Sequence, residues 1–332
     1  MSETQTTCPY CGVGCGVIAR VDNGEVSVRG DDSHPANFGR LCVKGSSLGE
    51  TTGLAGRLLH PEVDDRPVSW EQALDAAGSR LQAIVDTYGP QAVAFYASGQ
   101  LLTEDYYAAN KLMKGFIGAA NIDTNSRLCM SSAVVGYKRA FGEDIVPCSY
   151  EDVEHTDLVV LVGSNAAWTH PVLYQRLVQA KIDNPALKVV VIDPRRTATC
   201  DIADLHLALT PGSDAGLFVG LLNAIDPEQA SDWSTERVAA FCGLPPEHVA
   251  AFYAWFIAAP RAVTLYTMGI NQSTSGSDKC NAIINVHLAS GKIGREGCGP
   301  FSLTGQPNAM GGREVGGLAN QLAAHMNFTP DD

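Results

Sequence analysis

The sequence has 332 residues, of which 45% are hydrophobic and 18% are charged, and its formal net charge at pH 7 is −13. This length accommodates two or three domains, and the low charged share favours large buried cores. Because an acidic chain without a long Lys/Arg run repels nucleic-acid phosphates, we expect no nucleic-acid partner. No run of about 18 apolar residues is present, so we expect no membrane span.

The first half of the sequence predicts a loop-rich segment followed by mixed helices and strands. Residues 1–58 are rich in Cys and Gly. A helix begins after Ser69, which forms a capping-box pattern with Gln72, and its residues 74, 77, 81, 84 and 85 make one apolar face. Gly89-Pro90 ends this helix, Ala92–Ala97 favours a strand, and a second helix covers roughly 104–116.

From residue 150 onward, apolar strands alternate with helices. The predicted strands are 158–162, 188–192, 205–209 and 262–267, and predicted helices follow the first, third and fourth of them. Strands that are apolar on both faces are typical of a parallel sheet covered by helices on both sides. The predicted fold class is therefore α/β.

The cysteines provide the clearest functional signal. Three of the ten cysteines lie in Cys8-Pro-Tyr-Cys11-Gly-Val-Gly-Cys15, and Cys42 follows after 26 intervening residues. Four thiolates can hold an iron–sulfur cubane, and the intervening glycines let the backbone approach it closely. Zinc is the alternative, although zinc sites usually combine two short Cys-x-x-Cys pairs. The N-terminal residues show no basic, apolar or twin-Arg export signal, so a cytoplasmic, reducing location is expected, where clustered cysteines favour metal over disulfides.

The cysteine segment and five further segments, taken in order, resemble the molybdopterin oxidoreductases of the dimethyl-sulfoxide-reductase superfamily, and most closely the large subunits of assimilatory nitrate reductases. The segments are TCPYCGVGC at 7–15, LCVKG at 41–45, SRLCMSSA at 126–133, VGSN at 162–165, IDPRRT at 192–197 and GQPNAMGGREVG at 305–316. No single segment is specific, but the ordered set is.

The resemblance implies two redox centres. Cys8, Cys11, Cys15 and Cys42 would hold a 4Fe–4S cluster, and Cys129 would bind molybdenum held by a bis-molybdopterin guanine dinucleotide. Lys44 would lie between the cluster and the pterin, on the electron path. Taken by itself, Cys129 is better explained as an ordinary small buried residue at the start of a helix.

The pterin dinucleotide is long and polyanionic, and loops that follow strands can supply the backbone N–H groups its phosphates require. Gly163-Ser164-Asn165 and Gly212-Ser213-Asp214 follow predicted strands. Asp193 could accept a hydrogen bond from a ribose or guanine, as an acid does in dinucleotide folds, and Asp214 is a second candidate for guanine recognition. By resemblance, the remaining cofactor-binding candidates are Gln100, Asn125, His170, Arg195, Met268 and Gln272. Met130 and Arg313 are candidate residues of the substrate pocket.

The resemblance also predicts the domains. Residues 1–58 form the 4Fe–4S domain, 150–261 form a dinucleotide-binding-like α/β domain, and 59–149 with 262–332 form a second, discontinuous and incomplete α/β domain. Family members continue further and add a C-terminal domain that closes over the pterins. That domain is absent here, so the chain resembles the N-terminal part of the enzyme.

The expected activity is reduction of nitrate to nitrite by oxygen-atom transfer at molybdenum, with electrons delivered through the cluster. The donor would be ferredoxin, flavodoxin or a nicotinamide-dependent flavoprotein. A formate dehydrogenase is one alternative, although that branch usually has His where Met130 follows Cys129. A periplasmic nitrate reductase is a second alternative. A non-catalytic electron-transfer subunit is a third, which the presence of Cys129 disfavours.

Overall fold

The computed structural model describes residues 2–228 and 232–326. They divide into two compact units. The described parts of residues 1–127 and 306–332 form the first unit, which is discontinuous in sequence, and residues 128–305 form the second.

The first unit begins with a three-stranded antiparallel sheet made of β1 (Ser2–Thr7), β2 (Gly16–Asp22) and β3 (Glu25–Gly30), in that order. Thr7 pairs with Gly16, so the connection between β1 and β2 is a hairpin loop of residues 8–15. Cys8 N–H donates to the Cys15 carbonyl at 2.9 Å and closes the base of this loop. The strand register therefore gathers three of the four predicted cluster cysteines in one loop.

The rest of the first unit contains short strands and helices around a small core of Val93, Met113, Ala119 and Ile122. The strands are β4 (Glu62–Val63), β5 (Arg66–Pro67), β6 (Phe95–Ala97) and β7 (Ile122–Thr124), of which β6 and β7 are parallel. The helices are α1 (Val43–Ser46), α2 (Trp70–Tyr88) and α3 (Thr103–Asn110), and a π-helical segment covers Lys111–Ile117.

The predicted start of α2 is confirmed, but its predicted apolar face is not buried. Gln72 N–H donates to Ser69 Oγ at 3.2 Å, and Ser69 N–H donates to Gln72 Oε1 at 3.0 Å. No residue of α2 is buried, and Leu74 is 65% exposed. Local capping can start a helix without any neighbour, whereas burial of its face requires a packing partner. Val85, half-buried, packs against the small core of this unit, but Leu74 stays exposed.

The second unit is built on a parallel five-stranded sheet. Its strands are β8 (Leu158–Val162), β9 (Lys188–Ile192), β10 (Leu205–Leu207), β11 (Ala262–Tyr266) and β12 (Gly299–Ser302), in the spatial order β10-β9-β8-β11-β12. Its helices are α5 (Asp152–His155), α6 (Ala166–Thr169), α7 (Pro171–Asp183), α8 (Asp214–Ile225), α9 (Thr235–Cys242), α10 (Pro246–Ala258), α11 (Met268–Asn271) and α12 (Gly276–Ala289). Helix α4 (Ser126–Phe141) begins with the last two residues of the first unit, and α13 (Ala309–Glu314) belongs to the first unit.

The central strand shows why the sheet is covered on both faces. All five residues of β8 are buried. Leu158, Val160 and Val162 contribute to one hydrophobic cluster, whereas Val159 and Leu161 contribute to another. Because successive side chains of a strand point to opposite faces, the two clusters lie on opposite sides of the sheet. The prediction of a parallel sheet between two helical layers is confirmed.

The predicted division into domains is wrong for residues 262–305. Strand β11 pairs in parallel with β8, with Ala262 opposite Leu158 and Tyr266 opposite Val162, and β12 extends the same sheet. Residues 128–149 also belong to this unit, and only 306–326 return to the first. The physical reason is that β11 is apolar on both faces, as β8 is, and such a strand is stable only inside a sheet with two covered faces.

Among the described residues, no helix combines the length and the apolar character needed to cross a membrane.

Candidate functional site

The four predicted cluster cysteines lie in the first unit, in the β1–β2 hairpin loop and immediately before α1. Cys8 and Cys15 are buried, and Cys11 and Cys42 are half-buried. The pKa of the Cys15 thiol is raised to about 11, first by burial and then by the charges of Cys11, Cys8 and Cys42. The hairpin loop gathers Cys8, Cys11 and Cys15, and Cys42 belongs to the same unit.

The arrangement of the four thiols bears on the kind of metal group that they could hold. The described residues contain no set of three or more His, Cys, Asp or Glu side chains arranged to hold a single metal ion. A cubane spreads its thiolate ligands around a whole cluster rather than around one ion. Three thiols in a glycine-rich loop and a fourth immediately before α1 suit that requirement.

Lys44 follows in α1, two residues after Cys42, and is exposed. It belongs to the first unit, as do Gln100, Asn125 and Arg313. The place of Lys44 on an electron path stays a prediction.

Gln100 and Asn125 hold the loop after β6 in place. The Gln100 carbonyl accepts from Gly12 N–H at 2.8 Å, and Asn125 Oδ1 accepts from Gly99 N–H at 3.0 Å. Arg313 lies buried in α13, and burial lowers its pKa. Gln100 and Asn125 thus have structural contacts that connect the loop after β6 with the cysteine loop and with the start of α4.

In the second unit, the strand order creates a topological switch point. Chain order runs outward from β8 to β9 and β10 on one side, and then from β11 to β12 on the other. In open parallel sheets, ligands bind beyond the carboxyl ends of the two strands where the order reverses. Here these are β8 and β11, whose following residues include the predicted cofactor residues Gly163 and Met268.

Glycines allow the two loops at the switch point to meet. Gly163 has φ +55°, and a Cβ placed on it would lie 2.7 Å from the Gly269 Cα. Only glycine tolerates both this backbone conformation and this contact.

Two hydroxyl groups beside this point suit a polar ligand. Ser164 is fully buried, and neither its Oγ nor Thr197 Oγ1 has a hydrogen-bond partner among the described residues. Buried hydroxyls normally have a partner, so two without one fit a bound group that is rich in oxygen. Asn165 Oδ1 accepts from Thr199 Oγ1 at 3.0 Å and so connects the loops after β8 and β9. Asp193 Oδ1 accepts from Arg195 N–H at 2.9 Å, in a turn that leaves Arg195 exposed.

The third loop ends at Asp214, whose carboxylate has a partner within the second unit. Gly212 has φ +93°, and Ser213 Oγ donates to the Thr210 carbonyl at 2.7 Å. Asp214 is buried at the start of α8, where Lys279 Nζ lies 2.7 Å from its Oδ2. The sequence did not predict this partner, which already neutralises the carboxylate proposed for guanine recognition.

Cys129 lies in the first turn of α4 and is 3% exposed. Its Sγ accepts from Gly305 N–H at 3.4 Å. A Cβ on Gly305 would lie 2.9 Å from Met268 Sδ and 3.3 Å from Cys129 Sγ, so the backbone approaches the thiol as closely as it does only because this residue is glycine. The second unit therefore brings together Cys129, Met268 and the start of the 305–316 segment.

Asn271 holds this cysteine from the other side, and the sequence did not single it out. Its Nδ2 donates to the Cys129 carbonyl at 3.0 Å and to Met130 Sδ at 3.1 Å, while its buried Oδ1 has no partner among the described residues. Gln272 Nε2 donates to the Leu128 carbonyl at 3.4 Å. The only sequence signal for Asn271 was its position between two candidate residues, Met268 and Gln272.

His170 is also tied to the 305 region. Its Nε2 lies 2.5 Å from the Thr304 carbonyl, and its Nδ1 lies 2.9 Å from Thr169 Oγ1. Burial lowers the pKa of His170, which favours the neutral ring. These contacts position the end of β12 and its following loop.

Comparisons with known proteins agree with this geometry. Residues 1–52 match the Fe4S4 domain of molybdopterin oxidoreductases, and residues 57–331 match the molybdopterin oxidoreductase family. The chain is 77% identical to a nitrate reductase of Klebsiella oxytoca, covering 100% of this chain and 40% of that protein. It is 48% identical to a nitrate reductase of Shewanella frigidimarina, covering 99% of this chain and 38% of that protein.

A solved structure supports the fold alone. Acetylene hydratase from Pelobacter acetylenicus superposes with a TM-score of 0.67 at 22% identity, over 86% of this chain and 42% of that one. The chain spans about 40% of the length of the two nitrate reductases named above. With a family match over most of its length, a 4Fe–4S cysteine loop and a switch point beside a buried cysteine, the chain belongs to the molybdopterin oxidoreductase family, whose cofactors are a 4Fe–4S cluster and molybdenum–molybdopterin.

Proposed function

We propose that the enzyme containing this chain reduces nitrate to nitrite at molybdenum. The observation that carries the proposal is the match of the whole chain to nitrate reductases, including both cofactor regions. When bound, molybdenum supplies a two-electron centre that accepts one oxygen atom of nitrate, and the 4Fe–4S cluster supplies the electrons singly. Nitrate takes up two electrons and two protons and leaves as nitrite and water.

Cys129 would bind the metal through Sγ. The Gly305 N–H directed at this sulfur would withdraw charge from it, and Asn271 would fix its orientation through the Cys129 carbonyl. Neighbouring donors of this kind set the geometry and the basicity of metal ligands. Met130, in the second unit, is the residue that we propose to contact nitrate beside Cys129. The role of Arg313, in the first unit, stays a separate prediction, in which its guanidinium would neutralise an anion.

The pterin would bind as the bis-guanine dinucleotide. The loops that begin at Gly163, Asp193 and Gly212 follow three strands of one parallel sheet, so they lie along the same edge. Ser164 Oγ and Thr197 Oγ1 would hydrogen-bond to its oxygens, and the backbone at Gly163 would approach its phosphates. Two successive loops with unpaired hydroxyls support a long ligand with several oxygen groups.

The test is a comparison of Cys129→Ser with Cys298→Ser in the holoenzyme. Cys298 is equally buried but precedes β12, at the opposite edge of the sheet. We expect Cys129→Ser to lower nitrate turnover by more than about 100-fold, because loss of a metal ligand should cost more than loss of a residue that only supports a ligand. The iron content and the cluster absorption should stay unchanged. Cys298→Ser should retain turnover. Near-normal turnover in Cys129→Ser would contradict the proposal.

Metal analysis and substrate assays separate the alternatives. Iron with molybdenum and nitrate-dependent turnover supports the proposal. Formate oxidation without nitrate reduction would indicate a formate dehydrogenase, and iron without molybdenum would indicate an electron-transfer subunit. Cys42→Ser, unlike Cys129→Ser, should lower the iron content and the cluster absorption.

We further propose a cytoplasmic, assimilatory role with ferredoxin, flavodoxin or a nicotinamide-dependent flavoprotein as the electron donor. All ten cysteines are free in the structure, which suits a reducing compartment. Cell fractionation, together with growth on nitrate as the sole nitrogen source after gene deletion, tests the location and the role. Turnover with each reduced donor tests the partner.

A further inference from the structure

Asn37 lies in the turn between β3 and Cys42 and is completely buried. Its Oδ1 accepts from Gly16 N–H at 2.8 Å. Its Nδ2 donates to the Gly16 carbonyl at 3.1 Å and to the Arg40 carbonyl at 2.9 Å. Both donor hydrogens and the acceptor oxygen of the amide are therefore used on backbone groups.

These backbone groups lie next to two different cluster ligands. Gly16 directly follows Cys15, the last thiol of the hairpin loop, and Arg40 precedes Cys42 by two residues. The two thiols are separated by 26 residues in sequence. The side chain of Asn37 thus connects the two ends of the segment that separates the third thiol from the fourth.

The turn that presents Asn37 is itself tightly held. Asp31 N–H donates to the Gly16 carbonyl at 3.0 Å, and Gly39 N–H donates to the Asp31 carbonyl at 2.9 Å. A Cβ on Gly30 would lie 2.0 Å from the Gly39 carbonyl oxygen, so the turn packs directly on the end of β3. A rigid turn can transmit the position of β2 to Cys42, because each step is a short backbone contact.

We propose that Asn37 is the positioning residue that places Cys42 relative to Cys8, Cys11 and Cys15, so that the fourth corner of the cluster site is formed before the cluster binds. Asn37 itself contacts neither thiol. A long loop leaves the position of its end poorly defined unless a further contact holds it, and ligands held in advance bind more tightly. The inference rests on the assignment of these four cysteines as the cluster ligands.

The central variant is Asn37→Asp, which keeps the size of the side chain but removes both N–H donors. Asn121→Asp is the matched control, since Asn121 Nδ2 also donates to two carbonyls of the first unit, those of Gln91 and Val93, at 3.0 and 3.2 Å. The chain is reconstituted with iron and sulfide, and the iron content, the visible absorption and the rate of iron release to a chelator are measured.

We expect Asn37→Asp to release iron about 10–100-fold faster than the parent, the range for residues that support metal ligands. Asn121→Asp should release iron at the parental rate. Equal rates for Asn37→Asp and the parent would overturn the inference, and so would equally fast release from Asn121→Asp, because the effect would then be general destabilisation. A parent chain that binds no cluster would overturn the ligand assignment together with the inference.

A second measurement needs no cofactor. In the metal-free chain with Cys8 and Cys11 replaced by Ser, a thiol-bridging reagent should join Cys15 to Cys42 rapidly, and Asn37→Asp should slow this reaction at unchanged helix content. Unchanged bridging would overturn the inference. If Asn37→Asp does not fold, Asn37→Ser replaces it, since its hydroxyl keeps one bond to Gly16 and is too short to span to Arg40; parental iron release in that variant would also overturn the inference.

Discussion

His287 in α12 lies in the interior of the second unit and has no exposed surface. Its Nδ1 is 2.9 Å from the Lys292 carbonyl, and its Nε2 is 2.8 Å from Thr264 Oγ1 on β11. The ring of Phe256 packs against it edge to face. Burial lowers the pKa of His287 from 6.5 to about 4, and the charge of Lys292 acts in the same direction. We therefore expect the stability of this unit to depend on the protonation of one histidine.

The sign follows from linkage. The folded protein holds His287 neutral, so the stabilisation is fully present above the unfolded pKa of 6.5 and is lost as the pH falls towards 4. Since each pKa unit corresponds to about 1.4 kcal/mol, the loss reaches about 3 kcal/mol at the acid limit. Between about pH 7 and about pH 5, the expected loss in the free energy of unfolding is about 2 kcal/mol.

Urea unfolding followed by tryptophan fluorescence measures this loss. His287→Gln should be less stable than the parent near neutral pH by about 1–3 kcal/mol, because buried hydrogen bonds are lost. Between about pH 7 and about pH 5, however, its free energy of unfolding should fall by about 2 kcal/mol less than that of the parent. His248→Gln is the control, because His248 is exposed in α10. If His287→Gln keeps the parental pH dependence, another group causes it and the reasoning is refuted.

Three further substitutions test contacts that position the site. Gly163→Ala should lower the free energy of unfolding by at least about 2 kcal/mol, because of the positive φ and the overlap with Gly269. Gly142→Ala is the control, since Gly142 has φ +83° and no atom within 4 Å of an added Cβ, so it should show the cost of the backbone strain alone. Equal shifts of the urea midpoint in the two variants would contradict this. Lys279→Met should lower the free energy of unfolding by about 3–5 kcal/mol, because it leaves Asp214 buried and unpaired. A double-mutant cycle with Asp214→Asn that shows no coupling energy would argue against the ion pair. Lys114→Met removes an ammonium group that donates to the carbonyls of Gly316, Leu318 and Gln321, so limited proteolysis should cut residues 316–322 faster, and an unchanged cleavage rate would contradict that role.

The sequence by itself determined the features that depend on neighbours in the chain. The capping box at Ser69 was predictable because its partner Gln72 is three residues away. The three cysteines of the hairpin loop were predictable as a metal-binding group because a short loop necessarily keeps them close. The apolar runs of β8 and β9 predicted a covered parallel sheet, because no other arrangement buries both faces of a strand.

Only the tertiary structure decided the features that depend on long-range pairing. The strand at 262–266 has a composition that would suit any buried sheet, and its pairing with β8 created the switch point that brings Gly163 beside Gly269. Asn37 and Asn271 have sequence contexts typical of ordinary turn residues, and only the fold shows their contacts beside Cys42 and Cys129. The physical reason is that hydrogen bonding and burial are determined by the atoms that surround a side chain, and these atoms come from segments that the local sequence does not specify.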